Sequence, residues 1–345
     1  MKKFLALFLA ALMVLSVVSF ASAEDYTIRI YSNSNSPERT TWLIAAAKAA
    51  GFNISIDDNS VYSGDVKAVQ AANESKDGDI IFGLNEVRWS QLVNGAYENL
   101  TIADWTPSWA DKVGGTTNAN INNAMLYSFT DPASPAGGIS IEGWKTLWKY
   151  CANGENTGDK YGLEPLIRGD VQVSTFYSSS LYGEITATGD NPAYEHPLKG
   201  VPVGENWGLV DIADGTYYIA EYIGVLDREG RSEEETEKVK AFAEWFGSAE
   251  TQIAWSEAFD SYPCNEEAVS ALYDEVPPIY AIKNCSLTKV EGTDKTYAEY
   301  VGEHSSEWTN IMTNLGFYWA DNANAPAEPD WDNLDWATLT QKVEE

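Results

Sequence analysis

Hydrophobic positions in the first hundred residues alternate between two spacings. Short apolar or alternating runs predict strands, and apolar residues three or four apart predict helices. The elements predicted in this way occupy residues 27–31, 43–50, 52–57, 66–72, 79–83 and 87–93. The run DIIFG at 79–83 is typical of a strand buried in a parallel sheet. Repeated strand–helix–strand order predicts an α/β fold with a mainly parallel sheet.

The first predicted helix has clear start and stop residues. Ser36 can cap it, Pro37 suits its first position, and Gly51 suits its end. In open α/β sheets, ligands bind beyond the carboxyl ends of the strands. The polar loops at 31–37 (YSNSNSP) and 83–89 (GLNEVRW) follow predicted strands, so we expect ligand-binding residues in both.

The rest of the chain is less regular. We predict strands at 124–130, 171–180 and 215–225, and a helix that contains Trp144, Leu147 and Trp148. A later helix begins with the capping-box pair Ser232 and Glu235, and its predicted buried stripe is Val239, Phe242, Ala243 and Phe246. Ser248 is predicted to start the next helix. The polar, proline-containing segment 322–336 is predicted to be a surface extension.

The N-terminus has the pattern of a secretory signal peptide. Two lysines precede an apolar run, and the small residues at 21–23 predict cleavage after Ala23. The first cysteine is Cys151, so there is no lipoprotein cleavage site. No other segment reaches the roughly 18 apolar residues that a membrane span needs. We therefore expect an exported protein, and without a lipid anchor we expect it in the periplasm.

The charge of the chain bears on its partners, and its cysteines bear on a disulfide. The formal net charge is −30, and removing the two signal lysines makes it −32. Such a surface repels nucleic acids and anionic lipids and attracts cations at long range. Of three cysteines, Cys264 and Cys285 are close enough in sequence to close a short loop, and export permits a disulfide.

The sequence has no motif of a common enzyme class. The two histidines, His196 and His304, are far apart and are interpreted as surface residues. Phosphate-loop, dinucleotide-binding, serine-hydrolase and zinc-protease motifs are absent. A pair of catalytic carboxylates among the 52 acidic residues has no sequence pattern to exclude it, so a secreted carbohydrate-active enzyme stays an alternative. A surface adhesion protein is another.

Aromatic residues are frequent, with 13 Trp and 19 Tyr. Several stand beside Ser, Asn or Gly at predicted loop ends, where a ring can stack on a flat or cationic ligand. These are Tyr31, Trp42, Trp89, Tyr177, Trp207, Tyr217, Tyr218 and Trp308.

The order of several segments resembles a known family. The segments are IRIYSNSNSPERTTW, GDIIFGLNE, DPASPAGG, VQVSTFYSSS, DGTYYIAEYIGVL and KAFAEWFGSAETQIAWSEAFDSYPCN. This series is similar to the extracellular solute-binding proteins of ABC importers, in the cluster that holds iron(III), polyamine, phosphonate and thiamine binders. The thiamine-binding branch is the most similar part of that cluster.

The resemblance implies a type II periplasmic-binding-protein-like fold, with two α/β lobes and a ligand cleft that closes between them. We expect a signal at 1–23, lobe 1 at 24–107, lobe 2 at 108–215, and a return to lobe 1 with C-terminal helices at 216–345. It implies no catalysis, no cofactor and no metal, a monomer, and an ABC permease as partner. With the aromatic residues above, the expected ligand-binding residues are Tyr31, Ser32, Asn33, Trp42, Asn85, Glu86, Ser134, Tyr177, Ser178, Trp207, Tyr217 and Trp308.

The ligand expected from this resemblance is thiamine or a related cationic molecule. Rings suit such a ligand, and Glu86 or Asp214 could supply a counter-charge. Iron(III) is less expected because the adjacent Tyr217 and Tyr218 would point to opposite faces of a strand, and no His lies near the first loop. A polyamine or a short sugar would use the same rings and acids.

Overall fold

The chain folds into two compact units, Met1–Thr116 with Ala220–Asp274 and Thr117–Ile219 with Glu275–Glu345. The structure is a computed structural model. It describes residues 26–33, 37–57, 65–110, 118–119, 125–154, 172–173, 215–219, 222–259, 261–276, 284–318, 320 and 323–341. The predicted signal peptide and most of the predicted strand at 171–180 lie outside these residues. No described helix is long and apolar enough to cross a membrane.

Strands and helices are numbered in chain order. The strands are β1 (Thr27–Ser32), β2 (Asn53–Ile56), β3 (Ile80–Leu84), β4 (Thr101–Ile102), β5 (Asn118–Ala119), β6 (Tyr218–Ile219) and β7 (Tyr222–Asp227). The helices are α1 (Pro37–Ala49), α2 (Asp65–Ser75), α3 (Glu86–Val93), α4 (Ile141–Asn153), α5 (Glu233–Gly247), α6 (Ala249–Phe259), α7 (Glu266–Leu272), α8 (Tyr297–Asn314) and α9 (Trp336–Leu339). A 3₁₀ turn spans Trp331–Asn333.

The first unit contains a five-stranded sheet in the order β2-β1-β3-β7-β4. Strand β1 pairs in parallel with β2 and β3, as the sequence predicts. Strands β7 and β4 are antiparallel to their neighbours, so within the described part of this sheet the parallel pairing is confined to three strands. All six elements predicted in the first hundred residues are present.

Neighbouring residues on the central strands pack on opposite faces of this sheet. Ile30 belongs to a core cluster with α1 and α5, whereas Tyr31 belongs to a second cluster with α2. Ile80 and Ile81 divide in the same way. Because strand side chains alternate in direction, each face is covered by helices, which gives an α/β layered unit.

Helix α5 begins as its sequence predicts. The Glu235 backbone N–H donates to Ser232 Oγ at 3.2 Å, and the Ser232 N–H donates to Glu235 Oε2 at 2.8 Å. These two bonds form a complete capping box. Hydrogen bonding by Ser232 also lowers the pKa of the Glu235 carboxyl. The predicted stripe of Val239, Phe242, Ala243 and Phe246 is buried. Ser248 Oγ accepts a hydrogen bond from the Thr251 N–H at 3.4 Å, at the start of α6.

A buried carboxylate joins the amino ends of β1 and β3 to the segment after β7. Asp79 is fully buried and accepts from Tyr26 Oη at 2.6 Å and from the Arg29 N–H at 2.9 Å. Arg231 Nη1 donates to the same carboxylate at 3.2 Å, and Arg228 Nη1 lies 3.6 Å from it. Burial, together with the hydrogen bond to Asp79, raises the pKa of Tyr26 well above its ordinary value.

The described part of the second unit is built around an aromatic core. Trp144 of α4 packs there with Tyr297, Tyr300 and Trp308 of α8, and all four are buried. The short strands β5 and β6 pair antiparallel in this unit. None of Cys151, Cys264 and Cys285 forms a disulfide in the described structure, and burial raises the pKa of Cys151.

The prediction of a strand at 124–130 is wrong. Residues 125–127 form a helical turn, and the N–H groups of Phe129 and Thr130 donate to the carbonyls of Leu126 and Tyr127. Backbone groups bonded three residues apart are used locally and are not available to a strand ladder. Leu126 is buried in the core of the second unit, which accounts for the apolar pattern.

The prediction that residues 322–336 form a surface extension is also wrong in part. Trp331 and Trp336 are 6% and 8% exposed and belong to the same core as Trp144. Their rings stack at 6.5 Å and 19°. Asn314 of α8 donates from Nδ2 to the carbonyl of Leu339, at the end of α9, at 2.8 Å.

This packing places residues 275–345 in the second unit. The boundaries expected from sequence instead gave 216–345 as a return to lobe 1 with C-terminal helices. The difference arises because α8 and the C-terminal tryptophans bury their apolar surface with α4.

Candidate functional site

The carboxyl ends of β1 and β3 lie at one edge of the first unit. Ser32 pairs with Phe82, and the Asn33 N–H donates to the Phe82 carbonyl at 3.3 Å. Asn33 Nδ2 donates to the Gly83 carbonyl at 3.1 Å. The amide of Asn33 is therefore held at this edge by the neighbouring strand, where open α/β sheets bind ligands.

Asn85 follows β3 and caps helix α3. Its Oδ1 accepts from the Arg88 N–H at 3.1 Å, which satisfies one of the first N–H groups of the helix. Glu86, the first residue of α3, lies at the same edge, although its side chain is outside the described part of the structure. The side-chain oxygen of Asn85 thus serves the helix.

Two aromatic rings stack beside this edge. Trp89 of α3 and Tyr222 of β7 have ring centroids 5.1 Å apart with an interplanar angle of 9°. Tyr222 is placed there by its pairing with Leu84 at the end of β3. Gly224 makes room for the pair, since a Cβ at that position would lie 2.9 Å from the Trp89 ring.

The sequence identifies Trp89 as a possible stacking ring but gives no indication of Tyr222. Tyr222 joins the edge only through the antiparallel pairing of β7 with β3. The alternation of YIGVL shows a strand, and nothing local shows which strand it pairs with.

Arg88, next to Trp89 in sequence, belongs to a polar group. Arg88 Nη1 donates to Gln91 Oε1 at 2.6 Å, and Tyr97 Oη donates to the same oxygen at 3.0 Å. Arg88 is half-buried. It adds positive charge to the positive end of α3, so this edge also suits a negatively charged group.

The other residues predicted in the first loop are inside the unit. Tyr31 is 8% exposed, and its hydroxyl contacts Ser75 Oγ at 2.6 Å and Asp77 Oδ1 at 2.9 Å. Ser32 is fully buried. Trp42 is half-buried on α1 and packs against two aromatic residues of α6. Of the predicted first-loop residues, Asn33 is the one whose side chain is described at the edge.

In the second unit, the predicted residue Ser134 stabilises its own loop. Its Oγ donates to the Ile139 carbonyl at 2.6 Å and accepts from the Ala136 N–H at 3.2 Å. Both bonds close the turn that carries two glycines, Gly137 and Gly138.

Three aromatic donors bind consecutive carbonyls of this loop. Trp144 Nε1 donates to Ala136 at 2.9 Å, and Trp308 Nε1 donates to Gly137 at 2.7 Å. Tyr300 Oη donates to Gly138 at 2.7 Å. A Cβ on Gly138 would lie 2.0 Å from that hydroxyl, and its φ is +71°, so only glycine fits there.

The two other predicted residues of the second unit that are described are in its core. Tyr217 is 0% exposed, and its ring meets the Tyr297 ring edge-on at 5.6 Å and 89°. Trp308 is 2% exposed. In the described structure, neither ring presents a face on which a solute could stack.

His304 covers the Trp308 ring. The two rings are 6.4 Å apart and nearly parallel, at 9°. His304 Nδ1 lies 2.8 Å from Glu307 Oε2, and its side chain is 26% exposed. The sequence favoured a surface position for His304, but its side chain lies partly buried in this group. Its spacing of three from Glu307 on one helix was the available indication.

The remaining predicted residues lie outside the described part of the chain. They are Tyr177, Ser178, Trp207 and the possible counter-charge Asp214. Within the described part, no group of three or more His, Cys, Asp and Glu side chains is placed to hold a metal ion.

Comparison with known proteins identifies the fold. No protein-family profile matches the sequence, and no curated protein matches it. The structure matches the Bordetella ferric binding protein with a TM-score of 0.53 at 12% identity, covering 85% of this chain and 99% of that chain. It matches apo FutA2 from Synechocystis PCC6803 with a TM-score of 0.50 at 14% identity, covering 84% and 99%.

A periplasmic thiamin binding protein matches with a TM-score of 0.41 at 13% identity, covering 81% of this chain and 93% of that chain. That score is too low to single out thiamine. The chain has the mixed α/β fold of the two-lobed, type 2 solute-binding proteins, as the resemblance in sequence implied.

Proposed function

We propose that the protein is an exported solute-binding protein of an ABC importer, which captures a small molecule and delivers it to a membrane permease without chemical change. The observation that carries the proposal is the fold match over 85% of this chain and 99% of the Bordetella ferric binding protein. At 12% identity this match supports the class of protein and leaves the solute open.

Capture is proposed to work by closure on the solute. A solute that binds the closed state more tightly than the open state favours closure in proportion to that difference in affinity. The permease then recognises the loaded form, and the protein acts as a monomer in the periplasm.

The solute that we propose is thiamine or one of its phosphates. Asn33 presents an amide at the strand edge, and the Trp89–Tyr222 pair supplies aromatic surface beside it. Arg88 and the start of α3 suit a phosphate, while the net charge of −30 attracts a cationic ring at long range. A polyamine, iron(III) and a short sugar are the other solutes that binders of this fold could take.

A titration with edge variants tests this function. The mature chain is titrated with thiamine and thiamine monophosphate by calorimetry, beside Asn33→Ala, Trp89→Leu and the control Asn94→Ala, an exposed residue at the other end of α3. We expect one saturable site that weakens at least tenfold in the first two variants and stays unchanged in the control. Binding that none of the variants alters would remove this edge from the site, and absence of binding would remove thiamine.

A further inference from the structure

Three aromatic side chains meet on the outer part of the first unit. Trp42 of α1 lies edge-on to Trp255 at 5.4 Å and 86°, and to Phe259 at 5.9 Å and 75°. Trp255 and Phe259, both on α6, meet at 4.8 Å and 61°. Each of the three is half-buried, so each keeps part of its surface exposed. We call this group the aromatic corner.

A cation of the chain itself lies over this corner. The guanidinium carbon of Arg39 is 5.7 Å from the Trp255 ring centroid and 5.6 Å from the Phe259 ring centroid. Both distances are within the range at which ring quadrupoles attract a cation. One positive group therefore contacts two ring faces inclined by 61°.

Trp42 and Trp255 also pack against the core of the first unit. A hydrophobic cluster needs only apolar cover, whereas these rings present two faces to a single positive charge. The position of Arg39 on the first turn of α1 means that its long side chain can leave the rings without moving the helix. The chain also has a net charge of −30, which raises the local concentration of cations.

We propose that the aromatic corner is a binding site for a quaternary ammonium or similar weakly hydrated organic cation, with Arg39 as the resident competitor. A ligand cation displaces the guanidinium and takes the same position over Trp255 and Phe259, with Trp42 edge-on to both rings. This site does not depend on the importer function, and it includes no residue of the strand edge.

Competition between Arg39 and a free cation changes the dissociation constant of the free cation. Arg39 must leave the rings before a free cation can bind there. The apparent affinity for the free cation is therefore lowered by the free energy of the contact between Arg39 and the rings. An exposed cation–π contact of ordinary strength corresponds to about a fivefold change in a dissociation constant. Removing the guanidinium should therefore tighten binding of a free cation by about fivefold.

Calorimetric titration with choline tests this, with 3,3-dimethylbutan-1-ol as its uncharged isostere, at constant ionic strength. The proteins are wild type, Arg39→Gln, and Lys48→Gln, which removes an exposed charge from the far end of the same helix. We expect Arg39→Gln to bind choline about fivefold more tightly than wild type. Lys48→Gln should match wild type, and the alcohol should bind none of them measurably.

A further variant shows whether the rings are the site. Trp255→Leu in the Arg39→Gln background should lose choline binding, and Phe259→Leu replaces it if circular dichroism shows that the first variant does not fold. Choline binding that is equal in wild type and Arg39→Gln, absent from both, unaffected by loss of the ring, or matched by the alcohol would overturn the proposal.

Discussion

Trp308 Nε1 and the carbonyl of Gly137 form a 2.7 Å hydrogen bond between helix α8 and the glycine loop of the second unit. The indole is 2% exposed, so the bond forms away from water. Buried polar groups are stabilising only when paired, and this pair fixes a loop to the core.

Trp308→Phe should destabilise the protein by about 2–4 kcal/mol, because it leaves the Gly137 carbonyl without this donor and removes packing volume. Urea unfolding followed by circular dichroism measures it. Trp331→Phe is the matched control, since the Trp331 indole donates at 3.3 Å to a side chain, Glu328. A loss no larger in Trp308→Phe than in the control would contradict the structural role.

Gly138→Ala should be among the most disruptive single changes in the second unit. The added Cβ would meet the Tyr300 hydroxyl at 2.0 Å, and the φ of +71° strains any L residue. Gly292→Ala shares a positive φ of +80° but meets no atom within 4 Å. We expect about 1 kcal/mol for Gly292→Ala and at least 3 kcal/mol for Gly138→Ala. Equal losses would mean that the clash at Tyr300 does not occur.

Asp79→Ala should destabilise the first unit by about 3–5 kcal/mol. The change leaves the Arg231 side chain, which is 2% exposed, without its buried carboxylate. Glu237→Gln is the control, because Glu237 and Lys240 form an exposed pair at 2.8 Å that contributes about 0.5 kcal/mol or less. Thermal melts at one pH compare the two, and similar melting temperatures would refute the buried network.

Alkaline pH should unfold the protein in part through Tyr300. Burial, with the nearby charges of Asp131, Glu307 and Glu303, raises the pKa of Tyr300 to about 12. The unfolded chain loses this proton near pH 10 and the folded chain holds it to about pH 12, so this contribution is complete below pH 10 and is lost between the two. Stability measured from pH 9 to 12 should fall less steeply in Tyr300→Phe. An unchanged slope would contradict the raised pKa.

Local patterns predicted well wherever local bonds decide the structure. The Ser232–Glu235 capping box and the buried stripe behind it were predicted correctly because both lie within a few residues of one helix. Strands β1, β2 and β3 were also predicted correctly, because each is visible in its own short apolar or alternating stretch. Turn residues, helix caps and apolar spacing are all visible in one short stretch.

Long-range contacts were predicted poorly. Asp79 meets Arg231 from a distant part of the chain, and Tyr222 meets Trp89 only through strand pairing. The C-terminal Trp331 was assigned to the surface because its neighbours are polar, yet its ring packs in the core. Predicted ligand rings such as Trp308 were core residues, because a large aromatic residue has the same appearance in sequence in either role.

Native mass spectrometry of the mature protein, purified from the periplasm without denaturation, tests the central proposal most directly. We predict one small molecule per chain, released intact and matching thiamine or a thiamine phosphate, and regained by the stripped protein from a mixture of candidate solutes. A stripped protein that regains none of the thiamine compounds, polyamines, iron(III) or sugars, or that returns one of them chemically changed, would contradict a solute-binding function.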